Sequence, residues 1–262
     1  MLHKVSMGLS VLAAQTTRSR VIGDYHPEAD ALFARMSTQP DAARKALINA
    51  LIGALKASAT WNKLDYLYIF AAHTAQAARL NWVANDALTS VSAPLFTADR
   101  GFKGDGVGAH LEIPYNQATL ANASQNNASW LLGVRAEGAN SRFVIGGASA
   151  IRFSFSPASS GINVRNTQGA TNDIVDTPRT GRFGSTRSGE LVHRVYRNGG
   201  LIHTSSTPSV APASSQIYVL RGGTNHSDAE VTHYGAGAGL TSQQHADVDA
   251  ALSIYLTATG AA

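Results

Sequence analysis

Apolar residues along this chain follow two rhythms, and the changes between them divide it. From His26 to Ala84 they recur at helical spacing. In "QPDAARKALINALIGALKAS", Leu47, Leu51 and Leu55 repeat every four residues with Ile48 and Ile52 beside them, one continuous stripe along a helix. Upstream, "HPEADALFARMS" sets Pro27 at a helix start and Glu28 and Asp30 in its first turn, where the helix dipole favours acids. The aromatic stretch "TWNKLDYLYIFAAHTAQAARLNWV" is expected to form a second helical segment, with His73 as a structural histidine.

After about Ala84 the period shortens to two. Segments such as "AHLEIPY", "SWLLGVRA", "AIRFSFS", "LVHRVYR" and "QIYVLRGG" read as short strands between Gly, Asn, Ser and Pro clusters. In "AIRFSFS", Ile151, Phe153 and Phe155 face one side and Arg152 and Ser154 the other, the pattern of a half-buried strand. Asn198-Gly199 in "VYRNGGLIH" predicts a tight hairpin, because both residues accept the positive φ of a type I′ turn. Many short strands at regular spacing imply an antiparallel β-sandwich or jelly roll. The helical rhythm returns in "LTSQQHADVDAALSIYLTATG", with Thr241 or Ser242 as N-cap, Val248, Ala251, Leu252 and Tyr255 on one face and Gly260 past the end.

Between the first helices and the strands lies "GFKGDGVGAHLEIPYN". Its glycines, Gly101, Gly104, Gly106 and Gly108, predict turns with positive φ and close backbone approach. Leu111 and Ile113 are expected to point into the core, His110 and Glu112 outward. The loop lacks the Lys-Ser/Thr ending of a phosphate-binding loop and precedes a strand instead of a helix, so a structural role is favoured.

Composition narrows the picture modestly. Only 15% of the 262 residues are charged, so Ser, Thr, Asn, Gln and Gly must cover much of the surface. The net charge is +4, but no basic run of five or six exists. The richest patch, "TPRTGRFGSTRSG", reads as a solvated loop, and nucleic acid is not expected as a partner. The absence of cysteine excludes disulfides, thiol catalysis and cysteine-bound metals. "MLHKVSMGLSVLAAQTTRSR" has an apolar run too short to span a bilayer, and no membrane insertion is expected. It reads as an ordered arm. The organisation expected is therefore an arm over 1–25, a helical segment over 26–84 and a sandwich with a C-terminal helix over 85–262.

Three features in order resemble concanavalin A-like and laminin G-like domains. These are the glycine-rich entry "FKGDGVGAHLEIP", the N-G hairpin and Gly-ended strand of "VYRNGGLIHTSS…QIYVLRGG", and the closing helix after "YGAGAGLTSQQ". With the helical preface, the chain is similar to such proteins of tailed bacteriophages, in tail fibres, baseplates or head fibres. The resemblance implies a virion structural subunit, located in the phage particle. It implies partners among other virion subunits, reached through the arm, copies of itself, and host-surface carbohydrate. The alternatives are a polysaccharide-degrading enzyme on the same fold and an assembly module without ligand.

Candidate chemistry is sparse. Retaining glycosidases of this fold commonly carry an E-x-D-x-x-E strand, which is absent here, and Asp228 and Glu230 read as a solvated pair more than a catalytic one. No G-x-S-x-G elbow and no clustered histidine spacing occur. The expectation is that the chain is not an enzyme and needs no cofactor. Ca²⁺ enters only through the resemblance, with "TNDIVD" or "TNHSD" as ligand sources at the sandwich rim. Sugar binding needs an aromatic ring and planar polar groups. Tyr115, Asn116, Arg221, Asn225, His226, Asp228 and Tyr234 are the residues expected to supply them, while Trp130 is assigned to the core.

Overall fold

The structure, a computed structural model, describes residues 25–139, 143–147, 150–155, 160–175 and 177–262. Two helices come first, α1 (Pro27–Ala34) and α2 (Ala42–Ala57), then β1 (Leu64–Ile69) and the one-turn α3 (Ala75–Ala78). The strands that follow are β2 (Thr89–Val91), β3 (Leu95–Thr97), β4 (Gly101–Lys103), β5 (His110–Ile113), β6 (Ala128–Ala136), β7 (Phe143–Gly146), β8 (Ile151–Phe155) and β9 (Ile162–Asn166). Next come β10 (Asn172–Ile174), β11 (Gly181–Gly189), β12 (Val192–Arg197), β13 (Gly200–Ser205), β14 (Ile217–Val219), β15 (Arg221–Gly222), β16 (Asn225–His226) and β17 (Glu230–Gly237). Helix α4 (Ser242–Thr259) closes the chain.

The strands form the expected mainly β, antiparallel two-sheet sandwich, with helices at both ends of the chain. One eight-stranded sheet runs β13-β12-β11-β6-β17-β4-β3, with β1 pairing β17 alongside β4. A seven-stranded sheet runs β10-β9-β8-β7-β14-β5-β2. Between them pack Trp130, Phe153 and Phe183, with the last two rings 4.7 Å apart. The indole of Trp130, a core residue as expected, donates across the sheets to the Arg165 carbonyl at 3.1 Å.

The local signals explain the ends. Asp41 caps α2 by accepting from Arg44 N at 2.7 Å, and Ile48, Leu51, Ile52 and Leu55 are buried. α4 starts with a capping box between Thr241 and Gln244 and stops at Gly260, whose φ of 76° is left-handed. It crosses the outer face of the eight-stranded sheet. His245 stacks on Tyr196 at 4.0 Å, and its Nε2 meets Thr186 Oγ1 at 2.6 Å. Gly184 makes this possible, because a Cβ there would lie 2.5 Å from the His245 ring. α2 packs on α4, and α1 on α2, so a helical layer covers that sheet. Asn198 and Gly199 join β12 to β13 with φ of 48° and 76°, the predicted turn.

Two expectations need correction. The aromatic stretch is not a second helix: Leu64–Ile69 is β1, with only Asp65 half-exposed. A strand buried on both faces shows no alternation, so its period is hidden. It fits beside β17 because Gly237 has no side chain; a Cβ there would meet the Lys63 carbonyl at 2.0 Å. "TPRTGRFGSTRSG" is likewise not a solvated loop. Most of it is β11, where Arg187 is fully buried, while Arg182 pairs with Asp249 and Arg179 with Glu137. The arm expected over 1–25 lies outside the described residues apart from Tyr25, which meets Phe33 edge-on at 5.3 Å.

The glycine loop serves construction, as read. Gly101 has φ of 115° and lies where a Cβ would be 2.0 Å from the Val231 carbonyl; at Gly104 one would be 1.8 Å from that of Ser227. Asp105 accepts from the N–H groups of Val107, Gly108 and Ala109, each at 2.8 Å, and these bonds hold its carboxyl down at about 2.

Candidate functional site

The helical layer lies on the eight-stranded sheet and, among the described residues, leaves the outer face of the seven-stranded sheet without an α-helix. Register sets the residues of one row across it: Thr89, Glu112, Tyr218, Gly146, Arg152 and Arg165 on β2, β5, β14, β7, β8 and β9. The β15–β16 hairpin folds back over this row. A Cβ on Gly146 would lie 2.4 Å from Gly222 Cα, so the backbones touch where both side chains are missing. That contact delivers Arg221 and His226 to the neighbourhood of Tyr218 and His110.

The resulting cluster is tightly bonded. The Arg221 guanidinium lies 4.4 Å from the centre of the Tyr218 ring, a cation–π contact. Its Nη1 is 3.0 Å from His110 Nε2, and its Nε donates to the Gly223 carbonyl at 2.9 Å. His110 Nδ1 sits 2.7 Å from the Gly108 carbonyl, which only accepts. Nδ1 therefore carries the proton, and Nε2 accepts from Arg221. Glu112 Oε1 stands 3.5 Å from the same Nε2. The His226 ring is 5.4 Å from that of His110, and its pKa is lowered by burial first and by His110 and Arg221 next. His226 is thus a neutral imidazole at pH 7, with one donor and one acceptor. Asn225 lies exposed at the hairpin. An aromatic ring, a guanidinium, a carboxylate, an amide and two imidazoles stand together, the groups that read hydroxyls on a ring.

Three of the seven residues expected from sequence, Arg221, Asn225 and His226, meet here. The others lie elsewhere. Tyr115 donates to Asp86 Oδ2 at 2.5 Å and stacks on Tyr66 at 5.8 Å; burial and Asp86 push its hydroxyl up to about 12. Asn116 caps the short helical turn at Gln117–Thr119. Asp228 packs against Gly138, where a Cβ would be 2.1 Å from its Oδ1. Tyr234 is corrected outright as a surface residue. It is fully buried on β17, with its hydroxyl 3.4 Å from that of Tyr66. β17 runs through the middle of its sheet under α4, so both of its faces are covered. His110, Glu112 and Tyr218 were not singled out for binding. They reach the site only through the pairing of β5 with β14, distant in sequence.

Other chemistry is internal. Ser185 Oγ, His193 and Asn172 form a bonded chain, with 2.7 Å at each side of the imidazole, buried between the sheets. Beside it, Arg187 donates to the carbonyls of Asn166, Glu190 and Thr207 and to Gln168 Oε1. Among the described residues no three His, Asp or Glu side chains come together as a metal site. Asp176 of "TNDIVD" lies outside the described residues. No helix among them is long and apolar enough to cross a membrane.

No protein-family model and no curated protein sequence matches the chain. In fold it is similar to Trypanosoma rangeli sialidase solved with sialic acid, with a TM-score of 0.55 and 11% identity over 80% of this chain and 39% of the sialidase. It is also similar to the receptor-binding domain of botulinum neurotoxin C/D mosaic serotype, with a TM-score of 0.54 and 10% identity over 72% of this chain and 51% of that one. The chain thus spans about two fifths of the sialidase and about half of the toxin structure. At such identity these likenesses show a β-sandwich fold and no activity. They do overturn the expectation that the chain is not an enzyme. A sialidase carries this fold over most of the chain's length, so the fold is compatible with a glycosidase and the missing E-x-D-x-x-E strand excludes nothing.

Proposed function

We propose that this protein binds carbohydrate through the outer face of its seven-stranded sheet, at the cluster of Tyr218, Arg221, His226, His110 and Glu112. The observation that carries the reading is the cluster itself: an aromatic ring beside four planar polar groups, on the sheet the helices leave uncovered. A sugar ring would lie against the aromatic edge of the cluster, with its hydroxyls bonded to the His226 imidazole, the guanidinium and the Glu112 carboxylate. Glycan-array binding tests this, with release of sugar products assayed in parallel to detect turnover. Replacing Tyr218 with Ala should weaken any glycan captured by about tenfold, the equivalent of one aromatic contact. His226→Ala should act in the same direction with the melting temperature held. Glycan binding that survives both substitutions would remove the site from this face.

The setting proposed is a phage particle, and it rests on the sequence resemblance alone. In that setting residues 1–25 anchor the subunit to its neighbours. Deleting residues 2–20 should leave the cooperative melt intact and abolish assembly. Normal assembly of the truncated chain would defeat the anchor.

A further inference from the structure

The edges of the two sheets are not protected alike. An edge strand presents unpaired N–H and C=O groups, and proteins blunt it with short length, charge, proline or a cover. Among the described residues, β2, β3 and β10 have only three residues each. β2 runs into Ser92 and Ala93, both at positive φ, and then Pro94, while β10 carries Asp173 at its centre. β1 is covered by Asn81 and Trp82, which bond the N–H and the carbonyl of Leu67 at 3.1 and 2.8 Å.

β13 has none of these except a bulge. It is six residues long, Gly200–Ser205, and ends its sheet with β12 as its one strand partner. It holds no charged residue and no proline, and Leu201 and Ile202 are 52% and 36% exposed. Ile202 bulges out of register between Leu201 and His203, but His203–Ser205 run on in regular pairing with His193–Val195.

We propose that β13 pairs antiparallel with β13 of a second copy of this chain, about a twofold axis normal to the sheet. A copy fits this edge because a twofold makes the pairing self-complementary, so each residue of the strand meets one from the same uncharged set. The nearest cations do not oppose it. The backbones of Arg194 and Arg197, one strand in, would lie three strand spacings from those of their counterparts, about 14 Å. That exceeds the screening length at physiological salt, about 8 Å. Both guanidinium groups also lean away from the edge, toward Ser188 Oγ and the Thr180 carbonyl. The axis turns the seven-stranded sheets of both copies the same way, so the inference leaves the glycan face free and does not depend on it.

Sedimentation equilibrium and hydrogen exchange on the full chain test it. The paired strip is narrow, so the dimer should be weak, with a Kd near about 10 µM. Raising the protein from about 1 to about 100 µM should shift the mass from monomer to dimer and slow amide exchange within Leu201–Ser205, leaving β3 and β10 unchanged. Thr204→Lys and Thr204→Glu, at an exposed position, should each weaken the dimer by about tenfold or more through like charges across the axis. Mixing the two variants should restore it. The exchange is read on the unaltered chain, so it decides even if a variant fails to fold. A chain that stays monomeric at about 100 µM would overturn the proposal. So would a dimer that leaves the β13 amides exchanging as before, or one that both variants retain, since the copies would then meet elsewhere.

Discussion

Lowering the pH from 6.5 to 5 should cost this fold about 5 kcal/mol, through three histidines. His193, His233 and His245 are 0%, 1% and 3% exposed, and burial pushes each down to about 3. Arg187 and His203 add to the effect at His193, and Arg182 at His233. In the unfolded chain each titrates near 6.5. Between those values the unfolded chain binds a proton that the native one refuses, so unfolding free energy rises with pH by about 1.4 kcal/mol per unit for each histidine. The stability is fully present above pH 6.5 and drains away as pH falls toward 3. Three such groups over 1.5 units reach the size of a typical domain's whole stability, about 5–15 kcal/mol. Asp105, held at about 2, lies below this window and does not offset the loss. Urea midpoints measured from pH 8 to 4.5 should trace the decline, and His233→Gln should remove about a third of the slope. His233 is the cleanest probe because its Nε2 has no partner to lose. Midpoints that stay level across this range would contradict the account.

The second large effect belongs to Arg187. It sits between the sheets with no carboxylate bonded to it, tied to the end of β9, to Gln168, to the β11–β12 turn and to the segment after β13. Replacing it with Met fills similar volume but takes the donor from the Thr207 carbonyl and Gln168 Oε1, while the carbonyls of Asn166 and Glu190 keep Thr167 Oγ1 and Ser209 N. Each acceptor left buried and unsatisfied costs about 1–3 kcal/mol. Relief of the guanidinium's own desolvation offsets part of that, and the net loss expected is about 2–4 kcal/mol. Arg187→Lys should fall between, since a point charge with three donors cannot span the four acceptors. Chemical denaturation of the three forms orders them. A methionine variant as stable as the parent would show that the arginine only occupies space.

Much of this architecture can be read in the chain because it is locally encoded. The Asn198-Gly199 turn, the Thr241 cap, the Gly260 stop and the Ile48–Leu55 stripe each depend on neighbours within a few residues. β1 could not be read the same way. Its residues are apolar toward both faces, and its strand character comes from β17, more than 160 residues away by the Leu67–Gly235 pairing. The candidate site divides along the same line. Arg221, Asn225 and His226 share a hairpin and were found together. Glu112 joins them through strand register and His110 through a fold-back, both facts of tertiary structure. Tyr234 was read as a loop residue, but it lies on β17 opposite Leu132 and faces the interior between the sheets with Tyr66, a placement set by pairing with β6 and β1.

The helical layer has one more consequence, for how the molecule would be held. α1 packs on α2 in the layer over the covered sheet, and Tyr25 stands at its start. A tether attached at Tyr25 itself would hold the molecule on the helical side and leave the seven-stranded sheet toward solution. Copies grafted this way on one support would all present the same face. Weak single contacts, tethered together, then act as one, and linkage of this kind multiplies affinity by about 10²–10⁴ without a new bond. Grafted by that end, even a millimolar binder would behave as an adhesive surface.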